Sequence, residues 1–334
     1  MKIAILGAGT WGTALSVLLK NNGHEIRLWS AIESEIRALQ QGNRHPNLPD
    51  TPLPEGIIYT TSIGDCIDSA ELVIFVVPSR FMRSTAEAAS PFLRRGMLLA
   101  TASKGIEPVT HMTMTEIIED VMAKSQPKEA FEYLALSGPT HAEEVAVGMP
   151  TAIVCACKNE SSALKVAEIF SSTCMRAYTN TDVRGVEICG AMKNIIALAA
   201  GITRGMGFGD NACAMLLTRG ISEMTRLGLA LGCHRRTFMG LSGFGDLVVT
   251  ATSRHSRNNR CGELIGRGMS YDQAAKEIGM VVEGYYALDA AIGLSQKLGV
   301  ELPITEAVYG IIHLGTSAKE AMLTLMNRSI KSEL

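Results

Sequence analysis

The chain opens with MKIAILGAGTWGTALSVLLK, residues 1–20, and this stretch fixes the class of fold to expect. Lys2 to Leu6 is a short apolar run suited to a strand, and Trp11 to Lys20 carries its apolar residues at helical spacing. Between them, Gly7, Gly9 and Gly12 fit the pattern G-x-G-x-x-G. At a strand–helix junction each glycine has its own task. Gly7 permits the tight turn, Gly9 lets a pyrophosphate approach the backbone, and Gly12 lets the helix pack on the strand. The helix N-terminus then offers free N–H groups and a partial positive charge to the phosphates. A turn of this kind at the start of a chain predicts a dinucleotide-binding α/β unit.

Beyond that turn, short β-branched runs alternate with helical patterns. HEIRLW (24–29) precedes a helix expected over about 34–41. The loop HPNLPDTPLPEG (45–56) contains too many prolines for a helix and leads into IIYTT (57–61). ELVIFVV (71–77) is continuously apolar, as a strand covered on both faces would be. GMLLAT (96–101), YLALS (133–137), TAIVCA (151–156) and MRAYT (175–179) continue the series. The alternation predicts a parallel, doubly wound sheet with right-handed crossovers. After about residue 183 the strands stop, and the remaining chain is helical and rich in Ala, Leu, Met and Gly. The expected division is residues 1–180 and an all-helical 181–334.

Bulk properties agree with two such units. The 334 residues are 47% hydrophobic and 19% charged, which supports a large core and argues against disorder. The net charge of -2 and pI near 6.4 exclude the strongly basic classes that bind nucleic acid or membrane surfaces. The start lacks the pattern of an export signal, and no run approaches the roughly 18 uncharged apolar residues of a membrane span, so a cytoplasmic protein is expected. The eight cysteines include no C-x-x-C pair and read as small core residues in a reducing compartment; no metal site is expected.

Several polar residues stand out against apolar surroundings. In GAMKNIIALAAG (190–201), Lys193 sits in what reads as a buried helix. Two readings are open: the ammonium snorkels to water on its long stem, or it is buried with a lowered pKa. Lys104, in ATASKG, follows a strand at the edge where α/β sheets bind their ligands. LSGPTHAEE follows another strand, and GFGDL brings Asp246 into the helical half. Ser256, Arg257 and Asn258 read either as a phosphate cradle, because a guanidinium with short donors matches phosphate oxygens, or as a solvated basic loop. After the second strand, SAIESEIR has Ser30 and Ala31 at the positions that usually choose the cofactor, with Glu33 and Arg37 beyond. Neither NAD nor NADP is written there.

Taken together, GAGTWGTALS, FVVPS, SKGIE, LSGPTHAEEV, GAMKNIIALAAG, GLSGFGDLVVT, SRNN and VVEG occur in the order seen in bacterial-type NAD(P)-dependent glycerol-3-phosphate dehydrogenases. The chain resembles that family from residue 1 to about 325. The resemblance implies an N-terminal Rossmann-like domain and a helical substrate-binding domain similar to the C-terminal domain of 6-phosphogluconate dehydrogenase. It implies reversible hydride transfer between NAD(P)H and dihydroxyacetone phosphate, giving sn-glycerol 3-phosphate for glycerophospholipid synthesis. Lys193 matches the family's proton acceptor, which also touches the substrate, and Lys104 the lysine that touches cofactor and substrate. Asp246 completes the catalytic set. Gly138, Thr140, Asp246, Ser256, Arg257 and Asn258 match substrate positions. Thr10, Trp11, Ala142, Val281 and Glu283 match cofactor positions, to which Arg257 also reaches. The resemblance departs after the second strand, where family members often carry an arginine. A dehydrogenase for β-hydroxy acids would share the plan without needing the Ser256–Arg257–Asn258 cluster, and the complete Lys104–Lys193–Asp246 set argues against a silent dinucleotide sensor. The long apolar helical half suggests a homodimer.

Overall fold

The computed structural model describes every residue except Pro127, Glu129, Lys331 and Leu334. The first half runs β1 (Lys2–Leu6), α1 (Thr10–Asn21), β2 (Glu25–Trp29), α2 (Glu33–Gly42) and β3 (Ile58–Thr60). It continues with α3 (Ile63–Ile67), β4 (Leu72–Phe75), α4 (Met82–Ala89), β5 (Leu98–Thr101) and α5 (Met114–Ser125). Then come β6 (Glu132–Ser137), α6 (Ala142–Ala146), β7 (Thr151–Cys157), α7 (Glu160–Phe170) and β8 (Met175–Asn180). The strands form one sheet in the order β3-β2-β1-β4-β5-β6-β7-β8. The strand order reverses at β1, so a crevice opens between the carboxyl ends of β1 and β4, the usual ligand position in such sheets. Alternate residues supply the two faces: Ile3 and Ile5 enter one core layer, Ala4 and Leu6 the other.

One pairing departs from the all-parallel expectation: β6 and β7 are antiparallel. The link 138–150 carries only the five-residue α6, too short a helix to run back along the length of the sheet, whereas a parallel return is usually built on a full crossover helix. This reversal has a consequence for the site. Since β8 is parallel to β7, it ends at the opposite edge of the sheet from β1, β4, β5 and β6. The next helix must therefore run back along the sheet.

That helix is α8 (Val183–Gly205), and α9 (Asp210–Ala230) and α10 (Arg235–Phe238) come after it. A wide turn over Leu241–Gly245 leads into α11 (Asp246–Thr252), α12 (Arg257–Gly266) and α13 (Tyr271–Ile278). The chain closes with α14 (Glu283–Leu298), α15 (Pro303–His313) and α16 (Ala318–Met326). Although α8 is long and apolar enough to cross a membrane, its most apolar window is wholly buried inside the protein. Helices α9, α10, α11, α12, α14 and α15 pack around it.

The contact of α12 with α8 is especially close. A Cβ on Gly201 would stand 2.0 Å from the Asn259 carbonyl oxygen, and one on Gly262 would stand 2.1 Å from that of Leu198. Backbone lies against backbone, so neither residue has room for a methyl group. Gly201→Ala should force the helices apart at a cost of ~1–3 kcal/mol or more. The check is a lowered midpoint in thermal unfolding; an unchanged midpoint would mean that the contact relaxes freely.

Two carboxylates, the buried Glu187 and the half-buried Glu283, tie the halves together. Glu187 on α8 accepts from Thr113 Oγ1 at 2.7 Å and from the Thr115 N–H at 2.8 Å, at the start of α5. Burial raises its pKa to about 7 despite those hydrogen bonds. Glu283 at the start of α14 accepts from the Ser79 N–H at 3.1 Å and from Ser79 Oγ at 2.6 Å, just after β4.

Candidate active site

Lys193 lies midway along α8 and is 6% exposed, among the buried residues Ala191, Met192, Ile195 and Ile196. Its ammonium does not snorkel. It donates to Asp246 Oδ1 and, at 2.8 Å, to Thr250 Oγ1, one turn further along α11. The other carboxylate oxygen, Asp246 Oδ2, receives Lys104 Nζ at 2.7 Å from the loop after β5. A single carboxylate, itself 1% exposed, thus bridges one ammonium from each half of the chain. Gly190 makes this convergence possible. It stands one turn before Lys193, and a Cβ there would press on the Lys104 stem at 3.3 Å.

The electrostatics of the trio derive from burial and proximity. Burial is the main cause that draws the Lys193 pKa down to about 7; Asp246 pulls it back up, and Lys104 pushes it further down. For Asp246 burial acts upward, but the two ammonium groups outweigh it and hold the carboxylate below its ordinary range. Near neutral pH the carboxylate is charged, and Lys193 is poised to hold or release a proton. General acid–base work calls for such a group.

Around the trio stand the remaining polar residues. Gly138 turns the chain after β6 at φ +133°, where a Cβ would meet the Ala152 carbonyl oxygen at 2.9 Å. Thr140 Oγ1 donates back to the Gly138 carbonyl at 3.2 Å. His141 precedes α6 with Nε2 3.4 Å from the Val249 carbonyl. Burial, assisted by Lys193, lowers its pKa and keeps it neutral near pH 7.

From the helical half, Ser256 caps α12 by accepting from the Asn259 N–H at 3.2 Å. The Asn258 amide is engaged at both ends: Nδ2 donates to Asn194 Oδ1 at 3.0 Å, and Oδ1 accepts from the Gly284 N–H at 2.9 Å. Asn258 therefore locks α12 against α8 and α14. It adjoins Arg257 in the chain, and its partner Asn194 adjoins Lys193. The Arg257 guanidinium itself has no hydrogen-bond or ion-pair partner among the described residues, although it acts on Glu283 through space. An uncommitted guanidinium at a helix N-terminus is an anion-binding arrangement.

The glycine turn is a second anion-binding feature. Gly7 has φ +128°, and a Cβ on it would strike the Val76 carbonyl oxygen at 2.8 Å. On Gly12 a Cβ would overlap the Gly7 carbonyl oxygen at 1.8 Å, whereas on Gly9 it would stand in open space. Gly9 begins α1 with no side chain capping the first-turn N–H groups. Thr10 Oγ1 accepts from Asn47 at 3.0 Å, and Trp11 and Ala142 pack together beside the buried Ala14, Leu48 and Ala146. Val281 is half-buried just before Glu283.

Both halves match models of NAD-dependent glycerol-3-phosphate dehydrogenase, the N-terminal model over residues 2–163 and the C-terminal one over 182–323. The chain is 48% identical to glycerol-3-phosphate dehydrogenase [NAD(P)+] 2 of Lactobacillus delbrueckii subsp. bulgaricus, with 100% of this chain and 99% of that protein covered. It belongs to the NAD-dependent glycerol-3-phosphate dehydrogenase family. A crystal structure of glycerol-3-phosphate dehydrogenase from Coxiella burnetii superimposes with a TM-score of 0.92 at 34% identity, covering 98% of this chain and 99% of that one. A ketopantoate reductase from Ralstonia eutropha shares the fold alone, with a TM-score of 0.62 at 19% identity over 96% of this chain and 100% of its own.

A dinucleotide fits the residues present. The open face of Gly9 is a cradle that any Cβ would fill, and the uncapped first turn of α1 presents N–H groups to it. Among the described residues no group of His, Cys, Asp and Glu is arranged to hold a metal ion. Sequence reading left out Thr250, Gly190 and Ser137. Thr250 was signalled only by its i+4 spacing from Asp246. Ser137, the last residue of β6, is buried with its hydroxyl unpartnered, and that oxygen would lie 3.6 Å from a Cβ on Gly190.

Proposed function

We propose that this protein is an NAD(P)-dependent glycerol-3-phosphate dehydrogenase, interconverting dihydroxyacetone phosphate and sn-glycerol 3-phosphate. The observation that carries the reading is the Lys104–Asp246–Lys193 bridge between the halves. It gives an acid–base group of suitable pKa where the two halves meet, and the uncommitted Arg257 at the start of α12 is the residue this reading assigns to the phosphate. The residues 1–180 serve cofactor binding in this reading, and 181–334 substrate binding and catalysis. A role in supplying glycerophospholipid synthesis in the cytoplasm accords with it. So does a homodimer, for which the apolar Met215 on the outer part of α9, 49% exposed, is a candidate contact.

The nicotinamide supplies the hydride acceptor or donor when bound. In the oxidative direction neutral Lys193 takes the proton of the C2 hydroxyl as hydride leaves C2. In the reductive direction the Lys193 ammonium hydrogen-bonds the C2 carbonyl oxygen and transfers its proton there. Asp246 stays ionised and aims both lysines, while Lys104 adds positive charge beside the developing alkoxide. Gly138 and Thr140 line the substrate side, and Ser256 and Asn258 hold α12 so that Arg257 faces the phosphate.

The test is NADH and NADPH oxidation with dihydroxyacetone phosphate, alongside a panel of β-keto acids. Turnover of the phosphate alone supports the reading; turnover only of a keto acid would replace it. In the same assay Arg257→Ala should raise KM for dihydroxyacetone phosphate by roughly 10–100-fold, the worth of a charge-assisted hydrogen bond. An unchanged KM would remove Arg257 from the phosphate site.

A further inference from the structure

Cofactor choice in doubly wound sheets is made at the carboxyl end of the second strand. An acid there accepts the ribose 2′-hydroxyl of NAD, and an arginine there receives the 2′-phosphate of NADP. The positions immediately after β2 in this chain are Ser30 and Ala31, which do neither. The structure supplies what those positions lack.

Ser30 is buried at the end of β2, directly beside the glycine turn, since the Gly7 N–H donates to the Trp29 carbonyl at 2.9 Å. Its hydroxyl accepts from the Ile32 N–H at 3.1 Å and donates to Glu35 Oε2 at 2.6 Å. The first turn of α2 thus folds back and tethers the half-buried Glu35 carboxylate to the end of the strand. Neighbouring cations have hydrogen-bond partners of their own, away from Ser30 and Glu35. Arg37 pairs with Glu33 on the exposed side of α2, and Arg44 donates to the Pro49 carbonyl at 2.9 Å. His45, the remaining titratable neighbour, is held toward its neutral form by burial, against the pull of Glu35. Exposed Ile32, between the strand and the helix, offers apolar surface at the same edge.

We infer that Glu35, positioned by Ser30, selects NAD over NADP in this protein. A carboxylate only accepts hydrogen bonds, so it suits a 2′-hydroxyl donor. A 2′-phosphate brings negative charge and no donor, and among the described residues no arginine is hydrogen-bonded at Ser30 or Glu35 to offset the repulsion. The family models are named for NAD and the relatives for NAD(P)+, so kinship alone assigns no residue to the choice. The inference rests on the dinucleotide reading of the glycine turn.

Equilibrium titration with NADH and with NADPH, by nicotinamide fluorescence without substrate, separates cofactor selection from cofactor binding. The native protein should bind NADH at least ~10-fold more tightly than NADPH. Glu35→Gln keeps an acceptor for Ser30 and removes the charge, so it should tighten NADPH and narrow the ratio to within about threefold. Equal binding by the native protein, or an unchanged ratio in E35Q, would overturn the selection by Glu35 and leave dinucleotide binding standing. Binding of neither nucleotide by protein with native circular dichroism would remove the dinucleotide reading and this inference with it.

Discussion

Lys193→Met should lower kcat by ~10²–10⁴ in both directions while NADH affinity stays within a few-fold of the native value. The range is what a positioned proton donor or acceptor typically contributes. Methionine fills the space of the lysine stem in a helix that is otherwise apolar, so the fold should survive. Asp246 keeps its bond to Lys104, which spares the variant an uncompensated buried charge. The pH profile makes the prediction sharper. Burial brings the Lys193 pKa to about 7, so the neutral amine needed for oxidation accumulates above that pH, and the ammonium needed for reduction accumulates below it. Oxidative turnover should therefore rise through pH 7, and reductive turnover should fall over the same interval. Steady-state kinetics in both directions from about pH 5.5 to about 9 would read this limb, and in K193M it should vanish along with most of the rate. A variant with native kcat, or a native limb that persists in K193M, would assign the proton to another group.

The same titration bears on stability. The unfolded lysine keeps its proton up to about 10.5, while the native one sheds it near 7. Between those values the unfolded chain binds more protons, so this group's contribution to stability rises with pH. Glu187 acts in the opposite sense from its neighbouring position on α8. Its folded pKa is raised to about 7, so between about 4.5 and 7 the folded state binds the extra proton, and the stability contributed by that proton is lost as pH rises.

How much of this was legible in the chain depends on the range over which each feature is decided. The glycine turn is local, and its junction of strand and helix carries its meaning within the first twelve residues. The two-layered alternation of β1 and β4 is local too. The antiparallel entry of β7 is less so, because it depends on α6 being too short to carry a crossover, and the pattern LSGPTHAEEV reads as an ordinary helix start. Lys193 is conspicuous in its apolar helix, but its partner lies 53 residues away and its rival cation, Lys104, in the other half of the chain. Only the packing of α8 across the sheet brings them together. Glu35 shows the same limit on a smaller scale: its side chain reaches the position that the sequence rule assigns to the end of β2. Asn258, expected in the substrate pocket, has its amide occupied by Asn194 and Gly284; in the proposed mechanism it acts by holding Arg257.

Asp246→Asn should damage both stability and turnover, and the two effects should separate with pH. The asparagine has the shape of the aspartate, yet its Nδ2 can only donate, so one of the two lysines loses its acceptor. With the negative charge gone, the buried Lys193 ammonium faces the partly exposed Lys104 ammonium with no counter-charge between them. Breaking a buried pair from one side typically costs ~3–5 kcal/mol, and here the loss would be full near pH 6, where Lys193 is protonated in the native protein. At pH 9 the neutral Lys193 relieves the repulsion, so urea unfolding should show a smaller deficit there than at pH 6. Turnover should respond differently. Removal of Asp246 takes away the group that holds the Lys193 pKa up, so the amine becomes neutral at a lower pH and the reductive limb shifts down. Misaimed lysines should still lower kcat by ~10² or more, even at pH 9 where stability largely returns. Equal destabilisation at both pH values would show that Asp246 acts as packing rather than as charge. A further triple replacement, Lys104→Met with Lys193→Met and Asp246→Leu, should recover much of the stability, since apolar substitutes for buried ion groups are often neutral or stabilising. It should recover no turnover. Recovery of the fold without recovery of the rate would place the reason for keeping two buried ionisable groups and a partly buried third with the proton transfer, and not with the folding of the chain.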